Sequence, residues 1–153
     1  MNEEQLAEEF EKRGITLASI QKRAVAFFID EIVVAIFSIF AFGSLLENIT
    51  IDSTNEEIAT VLGSLVMYVV LLKIVYQAFF IWMYGATPGK MFMKIKVIFI
   101  SSIDKPSFFI SLIRSSGRIV SEALFYVGFI WAYFNPKRQA WQDLVADTLV
   151  IDA

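Results

Sequence analysis

Asp30 stands inside an apolar stretch, Ala24 to Leu46, in which Glu31 is the only other charge. A carboxylate at such a position can take up a proton, coordinate a monovalent cation, or neutralise a buried cation. Arg23 lies at the mouth of the stretch, about two helical turns before Asp30 and on nearly the same face. In a second apolar stretch, about Ile58 to Tyr84, Lys73 and Gln77 sit one turn apart and share a face. A third, about Phe108 to Phe134, carries Arg114, Arg118 and Glu122 on one helical stripe that Phe125 and Phe129 continue. Depth matching across an antiparallel hairpin places Asp30 and Gln77 roughly 10 Å in from the same end, with Lys73 roughly 6 Å deeper. An Asp30–Lys73 or Asp30–Gln77 contact is therefore expected. It would be an ion pair that fixes helix rotation or a solvated ion or ligand site, unless Lys73 snorkels to the lipid boundary.

The deep charges balance, Asp30, Glu31 and Glu122 against Lys73, Arg114 and Arg118. Balance favours a compensated internal network over a single-sign pore, because unpaired ions in hydrocarbon are costly. The chain has no Cys and no His, which excludes disulfides, thiolate nucleophiles, zinc sites of Cys and His, and imidazole relays. Proton or ion chemistry falls to carboxylates, Lys, Tyr or backbone. No nucleophile–base arrangement is visible, so enzyme activity is not expected, and neither a cofactor nor a metal is implied. Gly85-Ala86-Thr87-Pro88-Gly89-Lys90 is one residue short of a phosphate-binding loop and Met91 replaces the Ser or Thr it requires. A tight turn with Lys90 at the headgroups fits better. Glu47, Asp52, Glu56 and Glu57 read as a solvated acidic loop rather than a cation site, Asn48-Ile49-Thr50 as a chance glycosylation pattern, and nothing reads nucleic acid.

The elements that must position these residues follow from composition. The 153 residues are 57% hydrophobic and 19% charged, with 15 Phe and a net charge of −3, the balance of a small integral membrane protein. The first stretch reaches about 34 Å as a helix, enough to cross about 30 Å of hydrocarbon; Trp82 and Tyr84 would anchor the second at an interface. Gly43 to Thr60 has acidic residues and no Lys or Arg, whereas Gly85 to Lys105 holds Lys90, Lys94, Lys96 and Lys105. The positive-inside rule puts the former outside and the latter, with the N-terminus, in the cytoplasm. Met1 to Arg13 reads as an amphipathic, solvated or surface-lying helix with a thin apolar side of Leu6 and Phe10, and partner docking as the alternative. It has no signal-peptide character. Lys94 to Ile98 and Thr148 to Ile151 are strand-like and would pair with each other. Lys137 and Arg138 also favour a cytoplasmic C-terminus, which three full crossings would forbid. Two spans plus a half-inserted helix or a re-entrant hairpin bent near Gly117 resolve this, with three spans as the alternative.

These landmarks resemble the RDD family of small, mostly prokaryotic membrane proteins, from about Gln21 to Ile151. Lys22-Arg23-Ala24-Val25-Ala26-Phe27-Phe28-Ile29-Asp30 is similar to the family's arginine-to-first-aspartate segment. Thr87-Pro88-Gly89-Lys90 followed by Ile95-Lys96-Val97 resembles its turn and short strand, and Arg114 its recurring arginine. Lys137-Arg138-Gln139-Ala140-Trp141-Gln142-Asp143-Leu144 resembles the closing segment, which makes Asp143 the second aspartate, with Thr148-Leu149-Val150 as the terminal strand. Asp147 departs from the pattern, since a small residue, usually glycine, is common there. The resemblance implies transport, including cation/proton exchange.

The expectation is an all-α integral membrane protein: residues 1–19 an amphipathic helix and linker, and residues 20–153 one membrane domain. That domain has two full transmembrane helices, a third membrane-inserted or transmembrane helical region, and a small two-stranded cytoplasmic β element. The expected function is transport of ions or small solutes across a bacterial inner membrane; an accessory or assembly subunit with structural charges is the alternative. The candidate residues are Arg23, Asp30, Lys73, Gln77, Arg114, Glu122 and Asp143, with Asp143 and Arg114 as gate or vestibule. The expected partners are the bilayer, further copies or a larger membrane complex, and monovalent cations.

Overall fold

The computed structural model describes residues 3–153, so Met1 and Asn2, the start of the expected first helix, lie outside the described residues. Helix α1 (Glu3–Arg13) leads into α2 (Ile20–Phe42). Ser19 caps α2 by accepting from the Lys22 amide at 3.2 Å, and after Phe42 the chain tightens into a 3-10 turn, Gly43–Asn48. Helix α3 (Asn55–Tyr84) opens on a capping box: the Thr54 hydroxyl accepts from Glu57 N, and the Glu57 carboxylate accepts from Thr54 N. Glu56 and Glu57 suit the helix dipole there. Gly85, at φ 72°, ends α3 in the left-handed conformation that glycine adopts without strain.

Among the described residues, these are the two helices long and apolar enough to cross a membrane. At 30 residues, α3 is about 45 Å long, and none of its most apolar stretch is buried within the protein. A core helix of a water-soluble fold would be covered; α3 instead presents Val66, Met67, Leu71 and Val75 outward. Helix α2 buries Ala26, Asp30 and Val34 against the rest of the chain, so it is built into the fold.

After Gly85 the chain folds back over α2 as the short α4 (Pro88–Phe92), with Thr87 at its N-cap and Pro88 in its first turn. Strand β1 (Ile95–Phe99) follows and pairs antiparallel with β2 (Thr148–Asp152), with Val97 opposite Val150. The expected strand pairing is thus present. Leu17 bridges Ile151 along the other edge of β2. The sheet is covered on both faces: Ile95, Val97 and Val150 pack with Ala18, Ala26 and Ile81 at the ends of the long helices. Leu149, Ile151 and Ile98 pack with Leu6. The thin apolar side of α1 is therefore a docking face.

The third apolar region is two helices, α5 (Phe108–Ala123) and α6 (Val127–Phe134). The break lies at Phe125 and Tyr126, both at positive φ, and not at Gly117, which sits within α5 against Gln142. Tyr126 N reaches back to Ser121 O at 2.9 Å, and Gly128 packs on Ser121 and Trp141. With 8 residues, about 12 Å, α6 cannot span a bilayer. Helix α5 carries Ser111, Arg114, Ser115, Arg118 and Ser121 on its buried side, with Phe108, Phe109 and Val120 outside. That arrangement is inverted for water and apt for hydrocarbon. The short α7 (Trp141–Val145) packs on α5 and leads to β2 through Asp147, which is left-handed at φ 49°. Glycine suits such a position, and Asp is among the few other residues that tolerate it.

Gly89 lies so close to α2 that a Cβ there would overlap the Ala26 carbonyl oxygen and meet the Asp30 carboxylate. Gly89→Ala should lower thermal stability in detergent by about 2–10 °C, as overpacking of about 1–3 kcal/mol implies; Gly63→Ala, which meets nothing within 4 Å, should change it little.

Candidate functional site

Asp30 is fully buried, and its carboxylate is held by three donors from outside α2. The Tyr76 hydroxyl donates to Oδ1 at 2.9 Å, the Thr87 hydroxyl to Oδ2 at 2.6 Å, and the Gly89 amide to Oδ1 at 2.9 Å. The Lys90 ammonium stands 4.0 Å from Oδ2 and 3.3 Å from the Thr87 hydroxyl. The expected Asp30–Lys73 pair is absent, and Gln77, though buried beside this cluster, is not among the donors. Depth matching found the right level but not the helical phase: Tyr76, a neighbour of Gln77, faces Asp30. The other ligands come from the chain folding back after α3. Lys90 is accordingly folded inward and buried under that turn rather than open on the surface.

Lys73 points toward α5. Its ammonium lies 2.8 Å from Glu31 and 2.8 Å from Glu122, while the Arg118 guanidinium lies 2.7 Å from Glu31 and 2.8 Å from Glu122. Two cations and two carboxylates thus form a ring joining α2, α3 and α5. Arg118 also lies over the Phe27 ring, 4.6 Å from its centroid, a geometry in which cation–π attraction adds.

Asp143, the second aspartate, is fully buried and clasped by Arg23 and Arg114. It also accepts from the Ala140 amide at 2.9 Å, which starts α7. Arg114 donates as well to the Thr148 hydroxyl at 3.1 Å, reaching β2. Burial alone would raise the Asp143 pKa, but the Arg114 and Arg23 charges outweigh it and hold the carboxyl below its ordinary range. Arg23 therefore serves Asp143 rather than Asp30. The expected pairing of Arg114 with Asp143 is present, as a closed ion pair.

The charge balance changes accordingly. The network holds five cations, Arg23, Lys73, Lys90, Arg114 and Arg118, against four carboxylates, Asp30, Glu31, Glu122 and Asp143. One positive charge is in excess. Lys90 is the cation least well matched, since the oxygens of Asp30 are taken by shorter hydrogen bonds. Burial is the main influence on it and lowers its pKa to about 7 against the pull of Asp30, with Arg114, Arg118 and Arg23 lowering it further.

A cavity of about 490 Å³ opens beside these groups, lined by Arg23, Lys90, Arg114 and Arg118 with aromatic walls that include Phe27 and Phe129. Among the described residues no carboxylate lines it. Such a surface suits an anion with an apolar part. Among the described residues no three carboxylates gather as a hard cation would need. The sequence reading did not select Tyr76, Thr87, Gly89, Lys90, Glu31 or Arg118 as site residues. For Thr87, Gly89 and Lys90 the available signal was the turn itself, whose N-cap threonine, proline and glycine announce a helix start. Nothing in the sequence says that this start points at Asp30.

Asp143→Asn should leave Arg23 and Arg114 short of their counter-charge and cost about 3–5 kcal/mol, read as loss of folded protein from membranes. Asp152→Asn, which removes the half-exposed partner of Lys22, should cost under about 1 kcal/mol.

A comparison with protein-family models matches the RDD family over residues 17–147, a range that takes in every member of the charge network. No curated protein and no solved structure matches the chain.

Proposed function

The chain belongs to the RDD family, and from that premise we propose that it is a small integral membrane protein that binds and moves small anionic solutes, with the cation-lined cavity as its binding site. The observation that carries this reading is the lining itself, four cations and no carboxylate, in a network one positive charge over balance. A sodium or potassium ion entering there would be repelled. The carboxylates on which cation/proton exchange would depend are already engaged, Asp30 by three hydrogen bonds and Asp143 by two arginines. In this reading Asp30 is an anchor, and Lys90 is the group whose charge responds to the solute.

Orientation follows from charge. The segment between α2 and α3 carries Glu47, Asp52, Glu56 and Glu57, while Lys94, Lys96, Lys105 and Lys137 gather at the other ends of the spans. In this reading the membrane is a bacterial inner membrane, and the positive-inside rule favours the cytoplasmic side for the sheet, α1 and the cavity. Two spans enclose little volume, and the uncovered apolar face of α3 supports assembly with further copies. The same face supports the second reading, an accessory subunit of a larger membrane complex whose internal charges only fix the fold.

Purified protein in liposomes should take up a small organic anion saturably, with no Na⁺-, K⁺- or Li⁺-coupled proton movement. Uptake should be faster at pH 6 than at pH 8. Lys90, whose charged neighbours are Asp30 and Arg23 of α2 and Arg114 and Arg118 of α5, with the Tyr76 hydroxyl of α3 on the same Asp30 carboxylate, loses its charge as pH rises through about 7. Cation-coupled proton flux that disappears in a folded Asp30→Asn variant would restore cation exchange. No flux of any kind from folded protein would favour the accessory subunit.

A further inference from the structure

The cavity lies where α2 begins and α3 has just ended, at one end of both spans. In a bilayer it would open at headgroup level and reach inward to Gln77. Its cationic wall is buried, while its aromatic wall continues into Phe28 and Tyr126, which are exposed on the outer surface. A ligand can therefore place charge inside and leave an apolar tail among the lipids.

Gln142 also lines the cavity. It is 3% exposed, and its side-chain oxygen has no hydrogen-bond partner among the described residues. That oxygen is itself sealed from the cavity, so the amide has to turn toward a ligand to meet it; a buried acceptor left unsatisfied costs free energy, and a donor on the ligand would satisfy it. A carboxylate or a sulfonate brings no donor. A choline headgroup brings none either, and its ammonium would sit among four cations.

Charge narrows the class further. With Lys90 charged, the network is one positive charge over balance, and a phosphodiester, which carries a single negative charge, restores neutrality. A phosphomonoester, at about −1.5 to −2 near neutral pH, would overshoot. Arginine guanidinium groups match the paired oxygens of a phosphate.

We propose that the cavity binds a phosphodiester bearing a free hydroxyl, the chemistry of a glycerol-type anionic phospholipid headgroup. The phosphate lies against Lys90 and the arginines, the hydroxyl donates to Gln142, and the acyl chains leave past Phe28. This rests on the reading of the cavity as the solute site. A free glycerophosphodiester shares the headgroup's chemistry and differs in lacking the chains.

Native mass spectrometry of the full-length protein in mild detergent tests it, with phosphatidylglycerol, phosphatidylcholine, phosphatidic acid, soluble glycerophosphoglycerol and a soluble aromatic carboxylate as probes. One saturable phosphatidylglycerol per protomer is expected, bound about tenfold or more tightly than phosphatidylcholine, a preference that Lys90→Gln should reduce about tenfold and Lys90→Arg should retain. Gln142→Leu, an apolar replacement of similar size, should keep the preference over phosphatidylcholine and narrow the preference over phosphatidic acid. Thermal melting of each variant establishes that it is folded. Glycerophosphoglycerol binding as tightly as the lipid would support the headgroup chemistry and overturn the lipid source. Carboxylate binding without phosphodiester binding would overturn the inference and leave the anionic-solute reading standing; no anion binding at all would sink both. Phosphatidylglycerol binding indifferent to Lys90→Gln and Gln142→Leu would mark ordinary boundary lipid and also overturn it.

Discussion

The carboxylate of Asp30, placed in the middle of a membrane helix, sets the terms for the rest of the molecule. A buried anion must be satisfied, and here its donors come from Tyr76, Thr87 and Gly89 rather than from a lone counter-charge. Two of these lie in the turn after α3, so satisfying Asp30 folds that turn onto α2. Gly89 is needed because only a residue without a side chain lets the α4 backbone come this near. Once α4 is pinned, β1 has its position, and with it the sheet that closes on β2 and seats α1.

A second consequence concerns charge. Since hydrogen bonds satisfy Asp30, Lys90 comes near it without closing an ion pair. The other aspartate, Asp143, takes two arginines, and the two glutamates share Lys73 and Arg118. The network is thus compensated almost throughout, and its surplus charge falls beside the cavity. Fold and cavity share one origin: the interactions that fix α2, α3, α5 and α7 also leave a cationic pocket at one end of the spans.

Much of the architecture was legible in the residues. Ser19, the Thr54–Glu57 box and Gly85 mark the ends of the long helices, and the alternation in Lys94–Ile98 marks β1. Asp30 was legible as a group in need of partners, but not which ones, because hydropathy gives depth and leaves rotation about the helix axis open. The burial of Lys90 was hidden for a related reason: a turn leaving a membrane helix can lie open on the surface or fold inward, and its own residues do not say which. A re-entrant hairpin, one of the two forms of partial insertion the residues suggest, would bend near Gly117, whereas the break between α5 and α6 occurs at Phe125 and Tyr126, residues with no preference for positive φ. Packing of Gly128 on Ser121 and Trp141, which sequence cannot see, accompanies it. Asp147 is the converse case, where a departure from the family's usual glycine falls at a left-handed position.

The most direct test of the account is solid-state NMR of the protein in bilayers, measuring the dipolar coupling between the ¹³C-labelled carboxylate of Asp30 and ¹⁵N in selectively labelled samples. Strong coupling to the Gly89 amide and none to the Lys73 ammonium is the predicted result, with Lys73 coupled instead to Glu31 and Glu122. Strong coupling of Asp30 to Lys73, with Gly89 distant, would contradict it: Asp30 would then be half of a transmembrane ion pair, α4 would be free of α2, and the surplus charge beside the cavity would vanish.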